Sequence, residues 1–254
     1  MVIFIALLAS YIFPLLLYFF LKANHKEDMS YKKDCRSLLF SGILLAFPVF
    51  LFSLLCNILF RLTGLYGIHP FAQSFLTAFF LNALSEELMK YLAARRIINK
   101  NRNTLSFLDT MAYTSIPAIG FELMESVVYL IESNVPQILV RGITNMHAVF
   151  GLITGFILVK GYRKGRKNPA VPAVLTAILI HGVYNFFLSE GIVDTGWASI
   201  SLLIAFISLV LSIGSFFFVR KARKNPYYTE PLFPGSAPEE NISPTNDPLS
   251  AGGE

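Results

Sequence analysis

Seven long apolar runs recur along the chain, at about 2–21, 38–60, 72–94, 107–131, 138–159, 170–188 and 198–219. Each approaches the ~20 residues that a helix needs to cross roughly 30 Å of hydrocarbon. Inside a bilayer every backbone N–H and C=O must find a partner within the chain, which leaves helices and closed barrels as spanning structures. A barrel strand would be only about 10 residues long, with alternating polarity, and these runs are longer and do not alternate. The expected fold is therefore all-α, a polytopic transmembrane bundle of about seven helices. A composition of 54% hydrophobic residues with a mean hydropathy of +0.58 agrees, and excludes an ordinary soluble domain.

The net charge of +5 is informative through its placement. Between the runs, Lys and Arg number five in 22–36, one in 61–71, four in 95–106, none in 132–137, five in 160–169, none in 189–197 and four in 220–224. Basic and non-basic connections alternate strictly, as they must if successive loops lie on opposite sides of a membrane. The positive-inside rule then predicts an outside N-terminus, cytoplasmic basic loops and a cytoplasmic C-terminus, as in an integral protein of a bacterial plasma membrane. The same placement excludes a nucleic-acid partner. The first run has no basic segment before it and no small-residue cleavage site, so it reads as an uncleaved anchor. Cys35 and Cys56 imply no disulfide framework. Residues 1–221 are expected to form one membrane-embedded domain. Residues 222–254 are expected to be a disordered tail, since 225–254 holds six prolines and five acidic residues and too little apolar surface to build a core.

Against this background the third run carries an anomaly: Glu86, Glu87 and Lys90. A charged residue at the centre of a bilayer helix costs roughly 2.5–3.5 kcal/mol even on lenient scales, so such groups are partnered or put to use. Lys90 stands at i+4 from Glu86 and i+3 from Glu87, within reach of either. Three later runs add partners. The fourth has Glu122 and Glu125, the fifth Asn145 and His147 followed by Gly151 and Gly155, and the sixth His181 with Asn185 one turn on. At 1.5 Å per residue these groups can converge between mid-membrane and the outer half. Carboxylates and imidazoles gathered in a low-dielectric site suit two chemistries. They can ligate a divalent metal through His nitrogen and Glu oxygen, or a glutamate can act as general base on water with His and Asn donors at the oxyanion. Neither an HExxH helix nor a Ser-His or Cys-His nucleophile arrangement is present.

The strings Glu86-Glu87-Leu-Met-Lys90, Phe121-Glu-Leu-Met-Glu125, His147 in a Gly-rich helix and His181-Gly-Val-Tyr-Asn185 resemble the motif series of the PrsW-type intramembrane proteases, relatives of the CAAX prenyl endopeptidases. The resemblance covers roughly residues 70–190. It implies hydrolysis of a peptide bond in or beside the membrane, with a membrane-anchored anti-sigma factor as an implied substrate and the lipid bilayer as the protein's surroundings. Carried over, it makes Glu86 or Glu87 the activator of water, and Glu87 is the choice made here. Glu125, His147 and His181 complete the site, and Asn185 with His181 matches an oxyanion-stabilising HxxxN element. It leaves open a zinc ion held by Glu125, His147 and His181 as well as a metal-free glutamate mechanism. Two rival readings stand beside it: a proton- or metal-coupled transporter or channel, and a non-catalytic membrane scaffold. A hydrolase needs its groups gathered at one point, whereas a transporter strings them along a path.

Overall fold

The computed structural model describes residues 2–25, 27–64, 67, 69–131, 144–189 and 197–232. The helices are α1 (Val2–Lys22), α2 (Met29–Leu62), α3 (Pro70–Leu76), α4 (Leu84–Lys100), α5 (Phe107–Ile131), α6 (Met146–Arg163), α7 (Ala170–Phe187), α8 (Ala198–Ala222) and the short α9 (Pro226–Thr229). A π-helical stretch, Thr77–Ala83, joins α3 to α4 without a break. Among the described residues there is no strand, and a single bridge pairs Ser106 with Pro231. Where described, every expected apolar run falls on a helix, apart from Asn145 just before α6 and Leu188 just after α7. The beginning of the fifth, residues 138–143, lies outside the described residues, as does Arg141.

Local chemistry explains where the helices begin. Asp28 caps α2, its side chain accepting from the backbone N–H groups of Ser30 and Tyr31 at 2.8 and 3.0 Å. His69 caps α3 in the same manner, with Pro70 at the first helical position, where a missing N–H costs nothing. Pro14, Pro48 and Pro117 lie inside α1, α2 and α5, a placement tolerated where neighbouring helices re-satisfy the freed backbone groups.

The bundle is built around α5, buried at every residue from 107 to 122. With little hydrophobic force between helices in lipid, close packing must hold them. Small residues provide that approach. A Cβ at Gly151 of α6 would lie 2.5 Å from Ser115 Cα, and one at Gly155 would lie 2.5 Å from Met111 Cα. On the opposite side of α5, Gly42 of α2 sits against the Pro117 carbonyl and Gly120 against that of Leu39. The outer helices turn apolar side chains outward, including Phe40, Leu44 and Phe47 on α2 and Leu202, Phe206 and Phe217 on α8. Met29–Leu62, Ala170–Phe187 and Ser199–Ala222 are each long and apolar enough to cross a membrane.

The basic end of the bundle is tied by polar contacts. Asp34 accepts from Lys100 Nζ at 3.1 Å and Asn101 Nδ2 at 2.7 Å. His25, exposed in the turn after α1, pairs with Asp109 at 2.8 Å. The residues just after α8 pack back on the bundle. Arg163 donates to the Tyr227 carbonyl at 2.8 Å and stacks on the Tyr227 ring at 4.0 Å. Tyr228 packs on Phe107, and Leu232 N–H donates to the Leu105 carbonyl at 2.8 Å. Aromatic anchors fasten this stretch despite its prolines. Residues 233–254 lie outside the described residues.

Candidate active site

The π-helical stretch Thr77–Ala83 matters for what it aims. Its i→i+5 bonding accommodates an extra residue per turn, a device that clusters at functional sites. The glutamates follow directly, in the first turn of α4. Glu86, Glu87 and Lys90 are 4%, 4% and 2% exposed. From Lys90 the ammonium donates to Glu86 Oε2 at 3.1 Å and Glu87 Oε1 at 3.0 Å, and lies 2.9 Å from His147 Nδ1. These three bonds use all three of its N–H groups. Its cationic head also rests 4.3 Å from the centre of the Phe121 ring.

Helices α5, α6 and α7 bring the remaining groups. His147, in the first turn of α6, faces Lys90 with Nδ1 and Glu125 Oε2 with Nε2, the latter at 2.7 Å. A nitrogen that accepts from an ammonium leaves the proton on the other one, so Nε2–H donates to Glu125. Tyr129 donates to the second oxygen of Glu125 at 3.4 Å. On α7, His181 Nδ1 lies 2.9 Å from Glu87 Oε1, and Asn185 Nδ2 lies 2.9 Å from His181 Nε2. The amide donates to Nε2, which places the His181 proton on Nδ1 towards Glu87. The two imidazoles stand nearly perpendicular, centroids 4.9 Å apart, and Phe150 stacks on His181 at 4.9 Å.

All six residues expected from the sequence, Glu86, Glu87, Glu125, His147, His181 and Asn185, therefore meet in one buried network. Glu122 takes a supporting position, accepting the His147 backbone N–H at 3.3 Å. The grouping of possible metal ligands differs from the expected Glu125, His147 and His181. Among the described residues, donor atoms of Glu86, Glu87, His147 and His181 all lie within 4.8 Å of one another. Glu125 falls outside that group because it holds the far nitrogen of His147. Glu86 Oε2 is 3.8 Å from His147 Nδ1 and 4.0 Å from His181 Nε2. Two carboxylate and two imidazole donors, all buried, are a chemically suitable set for zinc or a similar divalent ion. The Lys90 ammonium lies among them and Asn185 holds His181 Nε2, so a bound ion would require both to give way.

One polar residue here has no role that the sequence suggested. Asn145, immediately before α6, is fully buried. It has φ 45° and ψ 42°, the only positive φ at a non-glycine among the described residues. No spacing rule marks it, since an asparagine ahead of a helix normally reads as a cap.

Beside the network, a cleft of about 310 Å³ opens between α3, the π-helical stretch and the ends of α5 and α7. Among the described residues, Gln73, Ser74, Thr77, Asn82, Tyr129 and Asn185 line it, without a carboxylate or amine. It reaches the site through Asn185, bonded to His181, and Tyr129, bonded to Glu125.

Known proteins resemble the chain over most of its length. A protein named Protease PrsW from Oceanobacillus iheyensis is 29% identical over 155 residues, covering 59% of this chain and 69% of its own length. Proteins of the same name from Clostridioides difficile and Bacillus subtilis are each 28% identical, over 65% and 69% of this chain and 71% and 78% of theirs. No solved structure matches. The model of the PrsW family of intramembrane metalloproteases matches residues 35–213, and the chain belongs to that family.

Proposed function

We propose that the buried network is the hydrolytic centre of this intramembrane protease and that Glu87 activates the attacking water. The observation that carries the reading is the position of Glu87, held by Lys90 on one side and His181 on the other. In the proposed reaction Glu87 takes a proton from water as its oxygen bonds to the scissile carbonyl carbon. The negative charge developing on the carbonyl oxygen is met by N–H donors and the nearby ammonium, in a site where low dielectric strengthens such contacts. The C–N bond then breaks, and the proton held by Glu87 passes to the leaving amine.

The family's description as metalloproteases suits the donor set. Glu86, His147 and His181 would hold the ion, with Glu87 and Glu125 orienting the two imidazoles from their other nitrogens, as carboxylates do for ligating histidines. When bound, the ion would supply Lewis-acid polarisation of the carbonyl and a more acidic water. Gathering of the ionisable groups at one point, rather than along a path, favours hydrolysis over coupled transport. The uncharged polar cleft supports entry of a peptide segment, since amides and hydroxyls can bond an unwound backbone. A membrane-anchored regulator such as an anti-sigma factor is the proposed substrate class. The charge alternation supports an outside N-terminus, with the cleft on the outer side.

Full-length protein in lipid nanodiscs, given a single-pass membrane substrate, is expected to cleave it. Glu87→Gln and His181→Ala should each abolish cleavage while the melting profile shows a folded protein. Undiminished cleavage by both variants would refute the assignment. Metal analysis with chelator treatment separates zinc from metal-free chemistry.

A further inference from the structure

Asn145 violates two expectations at once. Its side-chain Oδ1 and Nδ2 are both buried, and among the described residues neither has a hydrogen-bond partner. Its backbone also occupies the left-handed region, which a side chain makes unfavourable and where glycine sits at no such cost. Capping does not explain the residue, because it makes no side-chain cap bond. Glu122 already serves an N-terminal amide of α6, through the His147 N–H. Nor is the residue remote. It stands two positions before His147, and its neighbour Thr144 contacts the Tyr184 hydroxyl at 3.2 Å, one residue before Asn185. Unsatisfied buried polar groups and strained backbone both concentrate at functional sites.

We infer that Asn145 is a substrate-contacting residue whose carboxamide pairs with a peptide group of the bound chain beside the scissile bond. The chemistry is complementary. An unpaired amide offers one acceptor and N–H donors, and a peptide group offers one N–H and one C=O. Pairing would satisfy both atoms of Asn145 and fix the register of an extended segment against Glu87. This rests on the hydrolytic reading above, and it adds a recognition element outside the six residues of the network.

Substitution by glycine separates the functional role from a structural one. Asn145→Gly removes the backbone strain and the unpaired amide together, so the melting temperature should stay level or rise. Cleavage of a fluorescently labelled single-pass membrane peptide in nanodiscs should meanwhile fall about 10²-fold, as when a donor to the reacting carbonyl is lost. Asn145→Asp keeps the shape but not the donor, and should lose activity similarly. A glycine variant that melts well below the native protein would assign the residue to structure and overturn the inference. So would a glycine variant cleaving within threefold of native. Peptide cut by native protein but not by Glu87→Gln keeps the hydrolytic reading intact while Asn145 is judged. Peptide left whole by the native protein would sink that reading and the Asn145 assignment with it.

Discussion

An ammonium group within a membrane-spanning bundle is stable only where its three N–H bonds are met, and Lys90 meets all three within 3.1 Å. Replacing it with methionine keeps much of its volume but leaves two adjacent buried carboxylates without a cation. Breaking a buried ion pair by removing one partner costs about 3–5 kcal/mol, so Lys90→Met is expected to melt far below the native protein in chelator. Zinc should restore more stability to this variant than to native protein, because the lysine no longer holds the donors a divalent ion needs. Thermal melts of both proteins with zinc and with chelator test this, and an equal response would remove Lys90 as a competitor. The helical spacing of Glu86, Glu87 and Lys90 made two of these bonds legible in the sequence. The third, to His147, spans 57 residues and depends on how α4 and α6 meet. No local pattern encodes it. Asn145 was illegible for a related reason: its strain belongs to backbone geometry rather than to residue spacing. His25 shows a milder version outside the membrane. Its hydrogen bond to Asp109 holds its pKa above the ordinary imidazole value, against partial burial and with help from the charges of Asp109 and Asp28. A raised pKa contributes stability that is complete below the unfolded value of about 6.5 and disappears as pH rises through the folded value. The melting temperature should thus decline from pH 6 upward by a component that His25→Gln lacks.

Between α5 and α6 the glycine pair does at the level of elements what Lys90 does at the level of a residue. Gly151 and Gly155 let α6 lie almost against the backbone of α5, and that approach sets His147 beside Glu125 and Glu122. A larger residue must push the helices apart. Overpacking costs about 1–3 kcal/mol, sometimes more, and Gly155→Leu, aimed at the Met111 backbone, belongs at the severe end. Its melting temperature and its cleavage should both fall. Gly214→Leu on α8, where an added Cβ meets nothing within 4 Å, should change neither. Equal melting temperatures for the two variants would mean that the α5–α6 contact does not hold the site. The helices were legible because apolar runs of that length have few alternatives in a bilayer, and Gly151 and Gly155 stood out at i,i+4. The π-helical stretch between α3 and α4 was not, since an apolar run carries no mark of a widened turn. The docking of α9 was masked by averaging. A proline-rich, acidic composition describes the stretch from 225 onward, while its hold on the bundle comes from Tyr227, Tyr228 and the chain pairing at Leu232.

At the scale of the whole molecule, two asymmetries must agree if the protein works as proposed. One is electrostatic: Arg95, Arg96, Lys100, Arg163 and Arg166 gather at the end where α4 and α6 finish, and anionic headgroups and the membrane potential hold such an end inside. The other is chemical: the polar cleft opens at the opposite end, near Pro70 and Ser189. In the proposed topology the cleft would meet the outer juxtamembrane segment of a substrate, and the docked C-terminal segment would meet the cytoplasm. Labelling tests both together. Cys35 is fully buried, so a Cys56→Ala background leaves little reactivity towards a membrane-impermeant thiol reagent. In that background Ser189→Cys, beside the cleft, should react in intact cells. Lys224→Cys, just after α8, should react only once the membrane is opened. The reverse pattern would invert the topology and turn the cleft to the cytoplasm. Reaction at both positions in intact cells would leave an odd number of crossings between them untenable, and with it the single crossing of α8.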